Sequence, residues 1–248
     1  MFCQNIIFPS ILHNNKIDEI QINFLNSATG NILPMVALAK CNDDSKDKVF
    51  WCFSSADERD KLLSELSSSK DQLEEMNIRL KTLATTDELT GTYNRRELTV
   101  RMHVARRQIE RRQSCLSVFM LDLDHFKQIN DNFGHGEGDR ILKEFGSILL
   151  SNARIDDVVA RYGGEEFVIV MPDVNSESAK PAAERIHNAI KDIKTPSGAI
   201  TVSIGVCTIE WGTNVTEDAI FETADKMLYQ SKASGRNTTS FQCLPLMQ

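Results

Sequence analysis

The chain has 248 residues, a formal net charge of −7 and 41% hydrophobic residues. This composition is typical of a soluble globular protein, with room for one large domain or a modest domain plus an appendage. The acidic balance argues against a general nucleic-acid binder or a binder of anionic membranes, because both usually carry a basic surface. No apolar stretch approaches the ~20 residues of a spanning helix, and the amino terminus lacks the features of a signal peptide. We therefore expect a cytoplasmic protein without a membrane span.

The six cysteines are scattered along the chain and form no C-x-x-C pair. This spacing favours reduced thiols over a disulfide framework or a zinc site, so we assign them no chemistry. They are Cys3, Cys41, Cys52, Cys115, Cys207 and Cys243.

Residues 1–54 contain three short runs of β-forming residues, DEIQINFLN, ILPMVALAK and KVFWCFS, with turn-forming stretches between them. The runs predict a small antiparallel sheet, which is short for an independent domain.

The pattern changes at residue 57, where a stretch rich in helix-forming residues runs to residue 84 without proline or glycine. Apolar residues recur at alternating steps of four and three, as in the a and d positions of a heptad repeat. This spacing predicts a parallel two-stranded coiled coil that is weakened at Ser69. The alternative is an amphipathic helix that packs on its own domain, since short isolated coiled coils are marginally stable. The heptad positions are Leu62, Leu66, Ser69, Leu73, Met76, Leu80 and Leu83.

From residue 85 to residue 241 helix-like and strand-like segments alternate, and residues 242–248 are left as a tail. The order is β-α-β-β-α-β with an extra leading helix, and Gly235 ends the closing helix. This predicts an α+β fold, a palm-like split βαβ domain with helices packed on one sheet. Pro181 is expected in the first turn of its helix, where proline is tolerated.

The stretch RYGGEEFVIVMP, residues 161–172, places two glycines and two glutamates before an apolar run. Its strand-like flanks predict a hairpin with Gly163 and Gly164 as the two-residue turn and Glu165 at the tip. Such a tip lets a phosphate-bearing ligand approach the backbone and lets carboxylates hold a divalent cation. An ordinary glycine hairpin with solvated glutamates is the alternative.

The strand SVFMLDLDHF ends in two acids, Asp122 and Asp124, which alternation places on one face. Beside a hairpin tip that carries Glu165 and Glu166, they would form a set of hard oxygen ligands suited to Mg²⁺. A solvated strand end is the alternative for each aspartate.

The next stretch, HFKQINDNFGHGEGD, carries polar residues suited to a nucleotide. Lys127 could neutralise a phosphate, and Asn130 and Asp139 could read a base. A carboxylate that accepts hydrogen bonds from N1–H and an exocyclic amine selects guanine, because adenine has an acceptor at N1. The alternative is an ordinary turn rich in Asn, Asp and Gly.

Five ordered stretches resemble the GGDEF domain of diguanylate cyclases: TDELTGTYNRR, LDLDHFKQINDNFGHGEGD, RIDDVVARYGGEEF, VSIGV and ADKMLYQSKASGRN. The resemblance covers residues 85 to about 240, and the signature takes the form GGEEF, which active family members also use. It implies that each subunit binds GTP with Mg²⁺, with Mn²⁺ as an alternative metal. It also implies a homodimer in which two facing subunits join two GTP into cyclic di-GMP and release two pyrophosphates.

The resemblance implies a role for each matching residue. Asp122, the Leu123 carbonyl and Glu165 would hold the metals. Glu165 is also the candidate for helping to deprotonate the attacking 3′-hydroxyl, and the sequence does not separate these two roles. The other implied positions are Asn130 and Asp139 for guanine, His135 in the nucleotide site, Gly163 and Gly164 against the nucleotide, and Lys127, Lys232 and Arg236 for phosphates.

An R-x-x-D motif at Arg154 and Asp157 is similar to the family's product-inhibition site, with Arg185 as a further product-binding residue. Arginine suits a guanine dinucleotide because it binds bidentately and stacks. Some members carry another arginine where this chain has Pro181, so we expect inhibition by cyclic di-GMP and leave its strength open. A surface ion pair between Arg154 and Asp157 is the alternative.

Residues 1–54 resemble the last three strands of a PAS sensor domain. A full domain of that kind needs roughly twice this length to enclose a ligand pocket. We therefore expect a dimerisation or docking remnant, with loss of an intact domain by truncation as the alternative.

An active cyclase is the first functional hypothesis, because no acid of the signature is missing. A catalytically silent module that binds cyclic di-GMP or GTP is the second. A structural adaptor that acts through the coiled coil is the third, and it leaves the five motifs unexplained.

Overall fold

The structure, a computed structural model, describes residues 16–26, 28–41, 49–196 and 198–244. It divides into two compact units, Met1–Ile78 and Arg79–Gln248. The first unit contains an antiparallel sheet in the order β1-β2-β3, formed by Lys16–Leu25, Ile32–Cys41 and Val49–Ser55. The three strand-like runs of this region are therefore confirmed. The amino-terminal residues that precede β1, Cys3 among them, lie outside the described residues.

One face of this small sheet carries an aromatic cluster. The ring of Phe53 stands edge-on to Phe24 at 5.3 Å and lies parallel to Trp51 at 5.9 Å between ring centres. Phe24 and Phe53 remain 42% and 45% exposed, so much of this apolar face is open to solvent in the single chain.

A single helix, α1, runs over Ala56–Thr85, close to the predicted range of 57–84. Every residue from 60 to 84 is exposed. The apolar heptad positions share this exposure, for example Leu66 at 67% and Leu73 at 61%. Within the described residues, the apolar heptad positions of α1 are thus exposed in the single chain.

The second unit is built on a mixed five-stranded sheet. Its helices are α2 (Arg95–Arg112), α3 (Phe126–Phe133), α4 (His135–Asn152), α5 (Ser176–Ile190) and α6 (Glu217–Ala233). The strands are β4 (Cys115–Leu123), β5 (Val158–Gly163), β6 (Glu166–Pro172), β9 (Val202–Glu210) and β10 (Thr239–Cys243). They lie in the order β10-β9-β4-β6-β5, with β10 parallel to β9 and the other neighbours antiparallel. A two-residue pair, β7 (Lys194–Thr195) and β8 (Gly198–Ala199), forms a separate hairpin. The α+β class is confirmed.

The central strand β4 separates two hydrophobic layers because its side chains alternate between the two faces of the sheet. Phe119 and Leu121 belong to the layer that α3, α4 and α5 cover. Val118 and Met120 belong to the layer that α2 and α6 cover. The buried strand ends at Leu123, and the polar residues that follow it are held at one edge of a rigid core.

Three local expectations differ from the structure. Residues 126–133, to which no helix was assigned from the sequence, form helix α3, because Phe126 and Ile129 bury one of its faces, so the alternative of an ordinary turn is wrong for them. Pro181 lies in the second turn of α5 rather than the first, because the Asn175 capping box starts the helix at Ser176. The predicted tail begins inside β10, where parallel pairing with β9 continues to Cys243.

The thiols of Cys52, Cys115, Cys207 and Cys243 are free, in agreement with the expectation for this part of the chain. Among the described residues, no helix combines the length and the apolar character needed to cross a membrane.

Candidate active site

The β5–β6 hairpin brings Glu165 to its tip, but its turn lies one residue later than predicted. Gly163 pairs with Glu166, so the two-residue turn is Gly164-Glu165 and not Gly163-Gly164. An irregularity in the strand pairing between Arg161 and Gly163 shifts the register by one residue, which accounts for the difference. Gly164 has φ +52°, in the left-handed region that favours glycine.

Asp122 at the end of β4 lies directly opposite Glu166 across the β4–β6 pair. Paired residues of antiparallel strands project to the same face, so two carboxylates meet here. Burial raises the pKa of Glu166, and the negative charge of Asp122 adds to the rise. Burial also raises the pKa of Asp122, while Lys232 acts in the opposite direction. The two neighbouring carboxylates therefore favour a positively charged partner beside them.

Lys232, near the end of α6, supplies a positive charge beside Asp122. Its Nζ lies 2.7 Å from Asp122 Oδ2. Close contact between α6 and β9 allows this approach: a Cβ atom at Gly205 would collide with the backbone of Ala224 and Leu228. The glycine of the VSIGV stretch therefore helps to place Lys232 over the strand ends.

A pocket of about 280 Å³ opens beside this ion pair. Six residues of the predicted site line it: Asp122, Leu123, Lys127, Glu165, Lys232 and Arg236. The sequence separates these residues by more than a hundred positions, so their convergence is a property of the fold. The pocket combines carboxylates with three cationic side chains, an arrangement suited to a metal–polyphosphate ligand.

Asp124 is buried and fully engaged by the protein. It accepts hydrogen bonds from Thr201 Oγ1 (2.7 Å), Ser203 Oγ (2.7 Å) and the Asn237 N–H (3.0 Å). The last bond fixes the turn after α6, where Arg236 itself has φ +65°. Asp124 thus anchors the turn that carries Arg236 and does not line the pocket, so neither a solvated strand end nor the expected place among the metal ligands describes it.

The donor set of this pocket fits Mg²⁺ or a similar hard cation. Asp122 and Glu165 offer carboxylate oxygens and Leu123 offers its carbonyl. Within the ranges that the structure describes, no group of three or more His, Cys, Asp or Glu side chains forms a complete metal cage. Mg²⁺ usually binds to one or two carboxylates and completes its shell with water and substrate phosphates.

The residues predicted to read guanine lie beside the pocket lining rather than in it. Asn130 is a half-buried residue of α3, and His135 and Asp139 are exposed in the first turns of α4. Gly163 and Gly164 are exposed at the hairpin. The structure therefore places the predicted phosphate and metal positions together and the predicted base positions on the adjacent α3–α4 pair.

Arg161 is a functional candidate that the sequence did not reveal. Its Nε donates to the Gly164 carbonyl (2.9 Å), and its Nη1 lies 3.2 Å and 3.3 Å from the two carboxylate oxygens of Asp87. Burial would raise the pKa of Asp87, but hydrogen bonds from Thr90 and the charge of Arg161 together lower it. Arg161 and Asp87 therefore brace the hairpin tip against the turn after α1. Nothing in a separation of 74 residues along the chain indicates this contact.

The R-x-x-D residues form a separate group. Asp157 Oδ2 accepts a hydrogen bond from the Arg154 backbone N–H at 2.7 Å, so the carboxylate shapes the turn. Burial raises the pKa of Asp157, and the charges of Arg154 and Arg185 oppose the rise. A pocket of about 450 Å³ next to this turn is lined by Arg154, Asp157 and the fully exposed Ile155. Arg185 is thus near the motif, as expected, and its side chain is exposed.

Comparisons with known proteins show the family of this chain. The family described as diguanylate cyclase, GGDEF domain, matches residues 84–238. Response regulator PleD of Caulobacter vibrioides is 42% identical over 161 residues, which are 62% of this chain and 35% of PleD.

Two solved structures are similar as well. The coiled coil and GGDEF domain of DgcB from Caulobacter crescentus, in complex with c-di-GMP, aligns with a TM-score of 0.67 at 29% identity, over 74% of this chain and 98% of that chain. The active GGEEF domain of a diguanylate cyclase from Vibrio cholerae aligns with a TM-score of 0.54 at 31% identity, over 62% of this chain and 97% of that chain.

The chain has an α+β fold with a pocket that combines carboxylates and cations, and it belongs to the GGDEF family of diguanylate cyclase domains. Its match spans about a third of the length of PleD.

Proposed function

We propose that this protein is a diguanylate cyclase that joins two GTP molecules into cyclic di-GMP and releases two pyrophosphates. The observation that carries the proposal is the convergence of acidic and basic site residues on one pocket in a chain of this family. The signature here is GGEEF, and a similar domain from Vibrio cholerae is described as an active GGEEF domain. We also keep the expected cytoplasmic location as part of the proposal, because the substrate is a cytoplasmic nucleotide.

Asp122, the Leu123 carbonyl and Glu165 would hold Mg²⁺, with Mn²⁺ as the alternative. A bound metal would polarise the α-phosphorus and lower the pKa of the attacking 3′-hydroxyl. The 3′-oxygen of one GTP forms a bond to the α-phosphorus of the other, and the bond from that phosphorus to pyrophosphate breaks. Glu165 would accept the proton of the 3′-hydroxyl. This step happens twice to close the ring.

The basic residues of the pocket would act on the leaving group. Lys232 would leave Asp122 for the phosphates once nucleotide and metal are bound, and Lys127 and Arg236 would spread the charge of the departing pyrophosphate. Arg236 would be held for this task by the turn that Asp124 anchors. Asn130 and Asp139 would read guanine, and His135, Gly163 and Gly164 would line the nucleotide.

The reaction requires two half-sites, because each GTP must meet a second one. Glu165 at a hairpin tip can face a partner in a way that an enclosed residue could not. The exposed apolar seam of α1 offers a route to a parallel homodimer that raises the effective concentration of the two half-sites. The similar DgcB structure contains a coiled coil with its GGDEF domain. Regulation by a change in helix register or splay belongs to this proposal.

The first unit would contribute to dimerisation or docking. Its three-stranded sheet is compatible with the carboxyl-terminal part of a PAS-like domain, as the sequence suggested. Its exposed aromatic face supports a dimerisation or docking role.

Inhibition by cyclic di-GMP at the R-x-x-D turn is part of the same proposal. The adjacent pocket, the exposed Arg154 and the nearby Arg185 support it, and the DgcB relative was solved with c-di-GMP. Arg154→Ala should raise the product concentration that halves activity by about tenfold or more, because a charge-assisted contact is lost. Arg111→Ala, at the exposed end of α2, is the control. Equal inhibition of both variants would remove this part of the proposal.

The test of the proposed reaction is a chromatographic assay of GTP turnover with Mg²⁺ by the parent chain, Glu165→Gln and Glu210→Gln. Glu210 pairs with Cys115 at the opposite end of β4 from the pocket, so its substitution makes the same charge change at a distance. We expect cyclic di-GMP from the parent and the control and none from Glu165→Gln. Unchanged product from Glu165→Gln would contradict the assignment of the chemistry to the hairpin tip.

A further inference from the structure

Helices α3 and α4 touch at Gly138, and the missing side chain at this position creates the contact. A Cβ atom there would collide with Asn130 Oδ1 and would lie 3.0 Å from Asn130 Cγ and 3.1 Å from Phe126 Cζ. Gly138 is buried. The Asn130 amide therefore rests directly on the backbone of α4.

The backbone conformation at position 138 does not require glycine. Gly138 lies within α4 and has no positive φ, so alanine could adopt the same conformation. Glycine inside a helix is less favourable than alanine, because it loses more conformational freedom on folding. Gly136, in the same helix, offers a contrast: a Cβ atom there would meet nothing within 4 Å. The collision with Asn130 is specific to position 138.

Asn130 depends on this contact for its position. Its backbone carbonyl accepts the Gly134 N–H at 2.9 Å, which fixes the main chain at the end of α3. In the part of the chain that the structure describes, no side-chain hydrogen bond holds its amide. The amide can thus turn its donor and acceptor toward a ligand, and the glycine surface defines where it sits. Asp139, the other proposed base reader, follows Gly138 immediately.

We propose that Gly138 is a positioning residue for guanine specificity: the bare helix surface at Gly138 holds the Asn130 amide in the plane where it reads the base. This inference rests on the proposed function, in which Asn130 and Asp139 recognise guanine. A side chain at position 138 displaces the Asn130 amide toward the base, whereas Asp122, Glu165 and Lys232 lie on β4, the β5–β6 hairpin and α6.

The test compares Gly138→Ala with the matched control Gly136→Ala, together with Asn130→Ala and the double variant Asn130→Ala/Gly138→Ala. Initial rates of pyrophosphate release give KM and kcat for GTP and for ITP, which lacks the exocyclic amine of guanine. Gly138→Ala should raise KM for GTP by about tenfold, change kcat less and reduce the preference for GTP over ITP. Gly136→Ala should match the parent.

The double variant separates positioning from general damage. If Gly138 acts through Asn130, the double variant has the same KM as Asn130→Ala, because the displaced group is already absent. A further loss in the double variant would show that the substitution distorts the α3–α4 pair, and would overturn the inference. Should Gly138→Ala fail to fold, the same substitution with Asn130→Ser must restore a cooperative melting transition. An unfolded Asn130→Ser/Gly138→Ala would also overturn the inference.

The outcomes distinguish this inference from the proposed function. If Asn130→Ala raises KM but Gly138→Ala has the same KM as Gly136→Ala, the proposal that Asn130 reads guanine survives. The positioning role of Gly138 is then rejected. Unchanged KM and selectivity in Asn130→Ala would reject base reading by Asn130 and the inference with it.

Discussion

Lys232 and Asp122 form an ion pair, with Nζ 2.7 Å from Oδ2, at the carboxylate that the proposed metal would bind. The Asp122 side chain is only 10% exposed, so few waters can replace this partner. A lysine in this position neutralises the Asp122 carboxylate, and a bound cation would compete with it for the same oxygens.

Lys232→Gln should therefore separate metal binding from nucleotide binding. In the absence of nucleotide, the affinity for Mn²⁺ should rise several-fold because a competing positive charge is gone. The affinity for GTP should fall by about tenfold because a charge-assisted phosphate contact is lost. Electron paramagnetic resonance of free Mn²⁺ and equilibrium dialysis of GTP measure the two affinities. Lys226→Gln removes the same charge from an exposed position of α6 and is the control. A parallel fall of both affinities would contradict the competition.

Arg161→Gln should impair catalysis through the hairpin tip. The variant loses the bonds to the Gly164 carbonyl and to Asp87, so the turn that carries Glu165 is less constrained. We expect kcat to fall by about tenfold or more, with a smaller change in the dissociation constant of GTP. Asp87→Asn should have a related effect, and the double variant should be no worse than the stronger single variant. Additive losses in the double variant would mean that the two residues act independently. That result would contradict a shared role of Arg161 and Asp87 in holding the hairpin tip.

Glu166→Gln should stabilise the protein at neutral pH. Burial and the neighbouring Asp122 raise the folded-state pKa of Glu166, so the ionised form is less favourable in the folded than in the unfolded chain. A neutral amide removes this cost above the ordinary glutamate pKa of about 4.3. The cost is absent below that pH because the carboxyl is protonated in both states. Thermal unfolding should show a higher Tm for the variant at pH 7 and convergence with the parent near pH 4. A pH-independent difference would contradict this account.

Replacing three seam residues of α1 should make activity depend strongly on protein concentration. Leu66, Leu73 and Leu80 are 67%, 61% and 58% exposed in the single chain, so their change to serine should not disturb its own core. The triple variant should lose activity per chain at low concentration and recover part of it as concentration rises. Ile78→Ser, an apolar position on α1 outside the heptad seam, is the control. Equal concentration dependence of the triple variant and the control would argue against a coiled-coil dimer.

The sequence predicted those features that have a local signal. Alternation and turn residues located four of the five strands of the large sheet but not the edge strand β10. The Asp122 and GGEEF stretches indicated the two sides of the pocket. The one-residue shift of the hairpin turn was missed because it depends on an irregular pairing before Gly163, which leaves no mark in the residue types. Helix α3 was missed because its surface is polar and only two of its residues are buried.

Long-range contacts were the least predictable part of the site. Arg161 meets Asp87 across 74 residues, and Asp124 reaches the Asn237 N–H across 113 residues. Each pair is set by packing of whole elements on the sheet, which no short pattern encodes. The functional meaning of Gly138 likewise depends on where another helix places Asn130.

The most direct test of the central claim is the stoichiometry of GTP turnover. The purified chain, stripped of bound nucleotide and checked for residual nucleotide after denaturation, is incubated with GTP and Mg²⁺ at a concentration where it is dimeric. The account predicts one cyclic di-GMP and two pyrophosphates for every two GTP consumed. A nucleotide-free dimer that binds GTP and leaves it unchanged, or that converts it to GDP and phosphate, would contradict the cyclase and favour a nucleotide-binding module or a different reaction.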